Sequence, residues 1–409
     1  MTLRLAVLAA LAFISLGLPD GLLGVAWPSI RSFFGLELEA VGALLIAATC
    51  GYVASSFSSG RLLRHFNVGH VLSLSCALTA AALLGYAAAS HWVVMVALGL
   101  VLGVGGGAID SSLNTYAATH HGARTLNWLH ACYGLGAAAG PLIMTAVLGI
   151  GLPWQRGYVI VGAAQLGLAG WFAATSRWWE PTNTGGTAPM ARVFASIPAT
   201  LRLAGARLGI AAFFVYAGVE ASAGVWTYTL LTEGRGVNPV GAGRVVSLFW
   251  GGLTASRLLA AFAGARVPPR AMLWIALWGV TLGAALVWLD VSPRVTYAAI
   301  LLLGSACGPI FPTLVAVTPT RLGAEHAANA VGFQIAAAAI GLSLVPALVG
   351  IAAAGLGIEA IATLLVVMAV LLMIVYRLLE RVSITSSKPT DTGFPSARDF
   401  RKATRSSNC

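Results

Sequence analysis

The 409 residues are 58% hydrophobic and only 9% charged, with a mean hydropathy of +0.86. About a quarter of a water-soluble domain is charged, so this chain cannot clothe a surface in water, and lipid is the solvent it implies. The net charge of +11 would suit nucleic acid in a soluble protein; here the arginines fall in loops and tail, so the charge speaks of membrane topology and nucleic acid is not a partner.

Hydropathy divides the chain into twelve segments, near 5–30, 40–60, 68–89, 92–117, 127–150, 156–176, 208–232, 241–263, 271–289, 295–317, 328–354 and 357–377. Each approaches the roughly 20 residues that a helix needs to span a bilayer. The first, MTLRLAVLAALAFISLGL, has the layout of a secretory leader, but eleven further spans follow and it reads as a retained helix. Connections such as Ala89–His91 and Gly355–Gly357 are short, which makes neighbours antiparallel. With the N-terminus inside, eighteen of the 24 Lys and Arg fall in inner loops and ends and five in outer loops; Arg257, inside a span, is the last. Both termini are therefore expected in the cytoplasm, in the cell inner membrane.

Residues 177–207 form the longest internal break, rich first in Pro, Gly, Thr and Asn, then alternating Arg with apolar residues. They predict an N-terminal six-helix bundle over 1–176, a cytoplasmic linker over 177–207, a C-terminal bundle over 208–377 and a disordered tail over 378–409. Four of the five cysteines (Cys50, Cys76, Cys132, Cys307) lie in apolar segments without metal-site or disulfide spacing, and Cys409 ends the chain. No HExxH or GxSxG occurs, and His120–His121 reads as a solvated loop, so neither an enzyme nor a cofactor is expected.

The two halves repeat one another. FISLGLPDGLLGVAW (13–27) is answered by FFVYAGVEASAGVW (213–226), pairing Phe13 with Phe213, Asp20 with Glu220, Gly24 with Gly224 and Val25 with Val225. GRLLRHF (60–66) resembles SRLLAAF (256–262), and GAIDSSLN (107–114) occupies the place of GPIFPTLV (308–315). Asn127 and Asn329 open equivalent helices that later carry Pro141 and Pro346. Corresponding helices point the same way, so the repeat is parallel about an axis along the membrane normal.

Three acids lie well inside apolar segments: Asp20, Asp110 and Glu220. A charge at mid-bilayer costs about 2.5–3.5 kcal/mol, roughly 8–10 for three facing lipid. They are expected to face a polar cavity and to bind and release protons. Pro19 removes a backbone donor beside Asp20 and predicts a pliable bend there, while Gly17 and Gly21 allow another helix close approach. Asp110 and Asn114 share a helix face, and Gly99, Gly103 and Gly107 form a packing stripe rather than a phosphate loop. Asn127, His130 and Tyr133 add polar groups in the fifth helix, Gln334 one in the eleventh, and Trp226 and Trp250 are candidate platforms for a sugar ring.

At these residues the chain resembles the major facilitator transporters, and among them the fucose-permease-like sugar transporters. GLPDGLLGVAW, IDSSLN, NWLHACYGLGAAAGP and YAGVEASAGVW carry the likeness, which runs through all twelve helices. It implies an all-α polytopic membrane protein, its twelve transmembrane helices arranged as two six-helix bundles. It also implies proton coupling and sugar binding at Asp20 and Asp110, with further sugar contacts from Asn127 and His130. One departure stands out: the loop after the second helix runs Gly60-Arg61-Leu62-Leu63-Arg64-His65, with Arg64 where the family signature carries an acid. The expected function is secondary transport of a small polar solute, a sugar, by proton symport in a lipid-embedded monomer. The alternative is a proton-coupled exporter of drugs or metabolites, which an apolar, aromatic cavity would favour.

Overall fold

The computed structural model describes residues 3–120, 123–179, 195–263 and 266–386; the side chains at 60, 64, 118–120, 123–127, 261–263 and 383–386 also fall outside that description. The expectations on the Arg64 and Asn127 side chains, on the His120–His121 side chains, on linker residues 180–194 and on the tail beyond 386 therefore lie outside the described residues. The described chain is helical: α1 (Leu3–Phe34), α2 (Val41–His65), α3 (Val68–Ala88), α4 (Trp92–His120), α5 (Ala123–Gly149), α6 (Gln155–Ala174), α7 (Ile197–Arg202), α8 (Ala204–Thr229), α9 (Pro239–Ala263), α10 (Pro269–Leu289), α11 (Pro293–Cys307), α12 (Ile310–Leu322), α13 (Ala324–Leu356) and α14 (Ala360–Ser386). Among the described residues eleven spans are long and apolar enough to cross a membrane, α11 and α12 together counting as one. The 25-residue α9, which carries Arg244 and Arg257, completes twelve passes.

Four boundaries differ from the sequence expectation, each for a local reason. The tenth segment breaks in two because Pro309, at the junction of α11 and α12, has no N–H for the helical ladder. α1 continues through Pro19 and Pro28 without a break. Close neighbours hold it: a Cβ at Gly21 would meet Pro141 Cδ of α5 at 2.6 Å, and packed neighbours keep a proline-containing span helical. α14 runs to Ser386, past the expected end at 377, with Glu380 held by Arg270 (2.5 Å) and the Trp274 indole (3.3 Å). Residues 197–202 of the expected linker form α7, capped by the Ser196 side chain, and α8 already begins at Ala204. The tight connection between α13 and α14 turns on Gly357, whose φ of +94° a larger residue would resist.

Glycine decides how the helices meet. In lipid there is no hydrophobic drive between helices, and close backbone approach supplies the attraction instead. A Cβ at Gly103 would collide with the Ala48 carbonyl, and one at Gly107 with the Tyr52 carbonyl, so the predicted stripe of α4 packs on α2. The second half repeats these contacts residue by residue: Gly304 meets Phe249, and Gly308 meets Leu253. Both partners of each pair shift by 201 positions (Gly103 to Gly304, Ala48 to Phe249). Likewise Gly136 against Ile14 in α5 and α1 becomes Gly341 against Phe214 in α13 and α8. The packing register therefore sets SRLLAAF (256–262) opposite 55–61, not opposite GRLLRHF. A Leu-Leu pair beside arginine recurs at helix ends near a membrane face, and this one does so out of register.

The halves touch along an equally close line. α1 and α8 cross where a Cβ at Gly24 would lie 2.7 Å from the Gly224 carbonyl oxygen, so residues equivalent in the repeat meet each other. Toward the face remote from the N-terminus, Gly42 of α2 lies on Ala347 of α13, Gly149 of α5 on Val240 of α9, and Arg31 pairs with Glu233 at 2.8 Å. Nearer the N-terminal face, Gly134 of α5 meets Thr254 of α9. Among the described residues no ion pair or close glycine contact joins the halves nearer the N-terminal face than that level.

Two outcomes follow from this packing. Gly103→Val, at a position with backbone in the way, is expected to cost about 1–3 kcal/mol as an overpacked contact, read as a lower Tm in detergent, whereas Gly167→Val, with nothing within 4 Å, leaves the Tm unchanged. Arg31→Glu is expected to loosen the remote face by about 1 kcal/mol, seen as a longer spin-label distance between the ends of α1 and α8, and Glu233→Arg added to it restores the wild-type distance.

Candidate functional site

Each of the three membrane acids is met by a tyrosine. The Tyr133 hydroxyl of α5 donates to Asp20 Oδ2 of α1 at 2.6 Å. The Tyr52 hydroxyl of α2 donates to Asp110 Oδ2 of α4 at 2.6 Å, and Asn114 Nδ2 donates to Asp110 Oδ1 at 3.0 Å. The Tyr216 hydroxyl donates to Glu220 one turn along α8, with the Cys307 carbonyl 3.0 Å away. Helical spacing explains two of these contacts: Asp110 with Asn114 and Tyr216 with Glu220 are i, i+4 pairs on one face. The Asp20 and Asp110 contacts to tyrosine are made across helices, at the glycine-packed seams α1–α5 and α2–α4.

Glu220 has a further partner. Arg257 of α9 places Nη2 3.3 Å from Glu220 Oε2, while its Nε donates to the Gly308 carbonyl at 3.2 Å. The three groups form one field. Tyr52 lies within electrostatic range of Asp20 as well as Asp110. Tyr133 feels Asp20, Glu220 and Arg257, and His130 feels Asp110 and Arg257. Since Asp110 belongs to the first half and Arg257 to the second, His130 stands between the halves, its ring edge-on to Phe13 at 5.4 Å.

These polar side chains are accessible. Asp20 and His130 are exposed, and Asp110, Asn114, Tyr52, Tyr133 and Arg257 are half-buried, although all belong to apolar spans. The arrangement gives carboxylates that can accept a proton or a hydroxyl hydrogen, beside neutral phenols that hold them. Among the described residues no group of three His, Cys, Asp or Glu could hold a metal ion.

Three predicted residues stand elsewhere. Trp226 is fully buried, and its indole N–H donates to the Pro346 carbonyl at 2.9 Å, binding α8 to α13. In this arrangement of the helices the ring has no free face and packs between them. Trp250 is 6% exposed, edge-on to Phe249 and against Gly224. Gln334 is 4% exposed, accepts from Thr318 Oγ1 at 3.1 Å, and lies over Gly209 inside the second half. Conversely, sequence reasoning passed over Tyr52, Tyr216 and Arg257. Arg257 had a signal: a cation inside a span is as costly as an acid and calls for a partner. The tyrosines had little, because an apolar helix accepts the ring whatever its hydroxyl does.

A two-fold helical bundle with an accessible polar centre is the architecture of a membrane carrier. The family model described as Major Facilitator Superfamily matches residues 8–250 and again 208–408; the chain belongs to that superfamily, and it is a transporter, not an enzyme. Among curated proteins it is similar to bypass of stop codon protein 6 of Saccharomyces cerevisiae, 27% identical over 368 residues (80% of this chain, 73% of the relative). It is also similar to sodium-dependent glucose transporter 1A of Mus musculus, 23% identical over 345 residues (74% and 79%). Among solved structures, a bacterial homologue of the human lysosomal transporter Spinster, inward-facing and occupied, superposes with a TM-score of 0.73 at 16% identity (95% and 100% covered). The E. coli fucose:proton symporter FucP superposes at 0.60 and 17% identity (92% and 98%). These superpositions show a shared fold.

The exposure pattern sets a labelling outcome. In a cysteine-free background, Asp20→Cys and His130→Cys are expected to react with a membrane-impermeant maleimide applied from the N-terminal face, and Trp226→Cys to stay unreacted.

Proposed function

We propose that this transporter carries a small polar solute, a sugar, together with protons, through a gap that its two halves open alternately to either side. The observation that carries the reading is the pair Asp20 and Asp110. Two carboxylates in apolar spans are each held by a tyrosine hydroxyl at 2.6 Å, with Asp20 exposed and Asp110 half-buried. A protonated acid crosses an apolar environment far more cheaply than an ionised one, so a proton on these groups changes which arrangement of the halves is favoured. Asn114, Tyr133 and His130 supply the hydroxyl-matching polarity that a sugar needs. The printed names of relatives, a glucose transporter and a fucose:proton symporter, agree with this class of solute. The excess of Lys and Arg on the side of the termini supports a cytoplasmic location for both, so the face where the halves make no close glycine contact or ion pair is the inward one.

The test uses purified protein in vesicles. Asp20→Asn is expected to reduce pH-gradient-driven uptake of labelled sugar to the level of protein-free vesicles while sparing exchange of sugar for sugar. Undiminished accumulation by this variant removes Asp20 from coupling. Accumulation driven by a sodium gradient at equal pH removes the proton, and expulsion of solute against proton entry identifies an exporter.

A further inference from the structure

Resting on the transport reading above, we infer that Arg257 is the solute-binding donor of the second half, and that Glu220 is a positioning residue for it rather than a carrier of protons. Arg257 is gripped on one side only. Its Nε is spent on the Gly308 carbonyl and its Nη2 on Glu220 and the Tyr216 hydroxyl. Nη1, with two N–H groups, has no hydrogen-bond partner among the described residues, and the side chain keeps 20% of its surface accessible. A guanidinium is a planar fork that cannot be deprotonated in a protein. Anchoring one edge of that fork therefore aims the other.

That free edge belongs to the gap. One turn earlier on α9, Thr254 packs directly on Gly134 of α5, beside Tyr133. Tyr133 and His130 both lie within electrostatic range of Arg257. The groups across from Arg257 are thus Tyr133 with its bound Asp20, and the exposed His130. Together the two sides offer a fixed donor from one half and a carboxylate acceptor from the other. A solute with an electron-rich oxygen at one end and a hydroxyl at the other bridges them, which suits a polyol or sugar.

The repeat supports a division of labour. Glu220 is the equivalent of Asp20, but Asp20 meets a tyrosine and is exposed, whereas Glu220 is 8% exposed and paired with a cation. A carboxylate with a permanent cation at 3.3 Å and a phenol donating to it is already neutralised as a pair, and has no need of a proton to tolerate its surroundings. At the offset that relates α9 to α2, Arg257 stands where the first half has Ser56. The first half has no such cation there.

Sugar counterflow in vesicles without any ion gradient, with labelled fucose, glucose or a nucleoside as probe, tests the assignment apart from proton coupling. Arg257→Gln is expected to raise the KM roughly ten- to hundredfold, the loss of one or two charge-assisted hydrogen bonds, with maximal rate largely kept and Arg257→Lys intermediate. Because Arg257→Gln alone strands Glu220, the double variant Glu220→Gln/Arg257→Gln, which removes both charges, is measured beside it. It is expected to regain the wild-type Tm yet keep the raised KM. A double variant with wild-type KM makes the pair purely structural and overturns the proposal. So does Glu220→Gln if it abolishes gradient-driven accumulation and spares counterflow, or shifts the pH profile of uptake, for then Glu220 carries the proton. Independently of any solute, phenylglyoxal is expected to modify Arg257 in the intact protein, located by peptide mass; an unreactive Arg257 also overturns it. Wild-type counterflow without gradient-driven accumulation would refute the coupled symport and leave the Arg257 assignment standing.

Discussion

A carboxylate inside a bundle of apolar helices needs a donor that lipid cannot supply, and in this protein a tyrosine supplies it each time. The phenol suits the task. Its ring packs as any aromatic does, and its hydroxyl stabilises an acid in either protonation state. Asp20, Asp110 and Glu220 differ in what lies beyond the tyrosine: an exposed face for the first, an asparagine for the second, an arginine for the third. That difference, rather than the presence of an acid, distinguishes what each can do.

The duplicated packing and the unduplicated chemistry have separate origins in the chain. Glycines at 103, 107 and 136 have counterparts at 304, 308 and 341, because both halves must bring the same backbones together. Asp20 answers to Glu220, but the other polar groups have none: Tyr52 and Asp110 stand opposite Leu253 and Phe311, and Tyr216 stands opposite Leu16. A bundle fixed by backbone contacts leaves its inward side chains free to diverge, and one half has become acidic where the other acquired the cation.

The bundle was legible in the sequence because lipid enforces it: span length, charge asymmetry between loops and glycine at spacing four are each consequences of a single solvent. The acids were legible for the same reason, since their cost singles them out. The pairing of acid with tyrosine was not, because Tyr133 reaches Asp20 across 113 positions and Tyr52 reaches Asp110 across 58. Nor was the fate of Trp226, whose indole N–H finds a carbonyl 120 positions away. An aromatic near the end of a span reads alike whether it faces a cavity or a neighbouring helix.

The crossing of α1 over α8 at Gly24 and Gly224 places backbone on backbone with no side chain between. Interlocked side chains resist tilting, because every rotamer at the contact has to find a new slot as the surfaces turn. Here there are none to reseat. The contact works as a smooth bearing, so the stiffness of the joint between the lobes resides in the charged and bulky groups some distance along it, and chemical events at those groups are what set its angle.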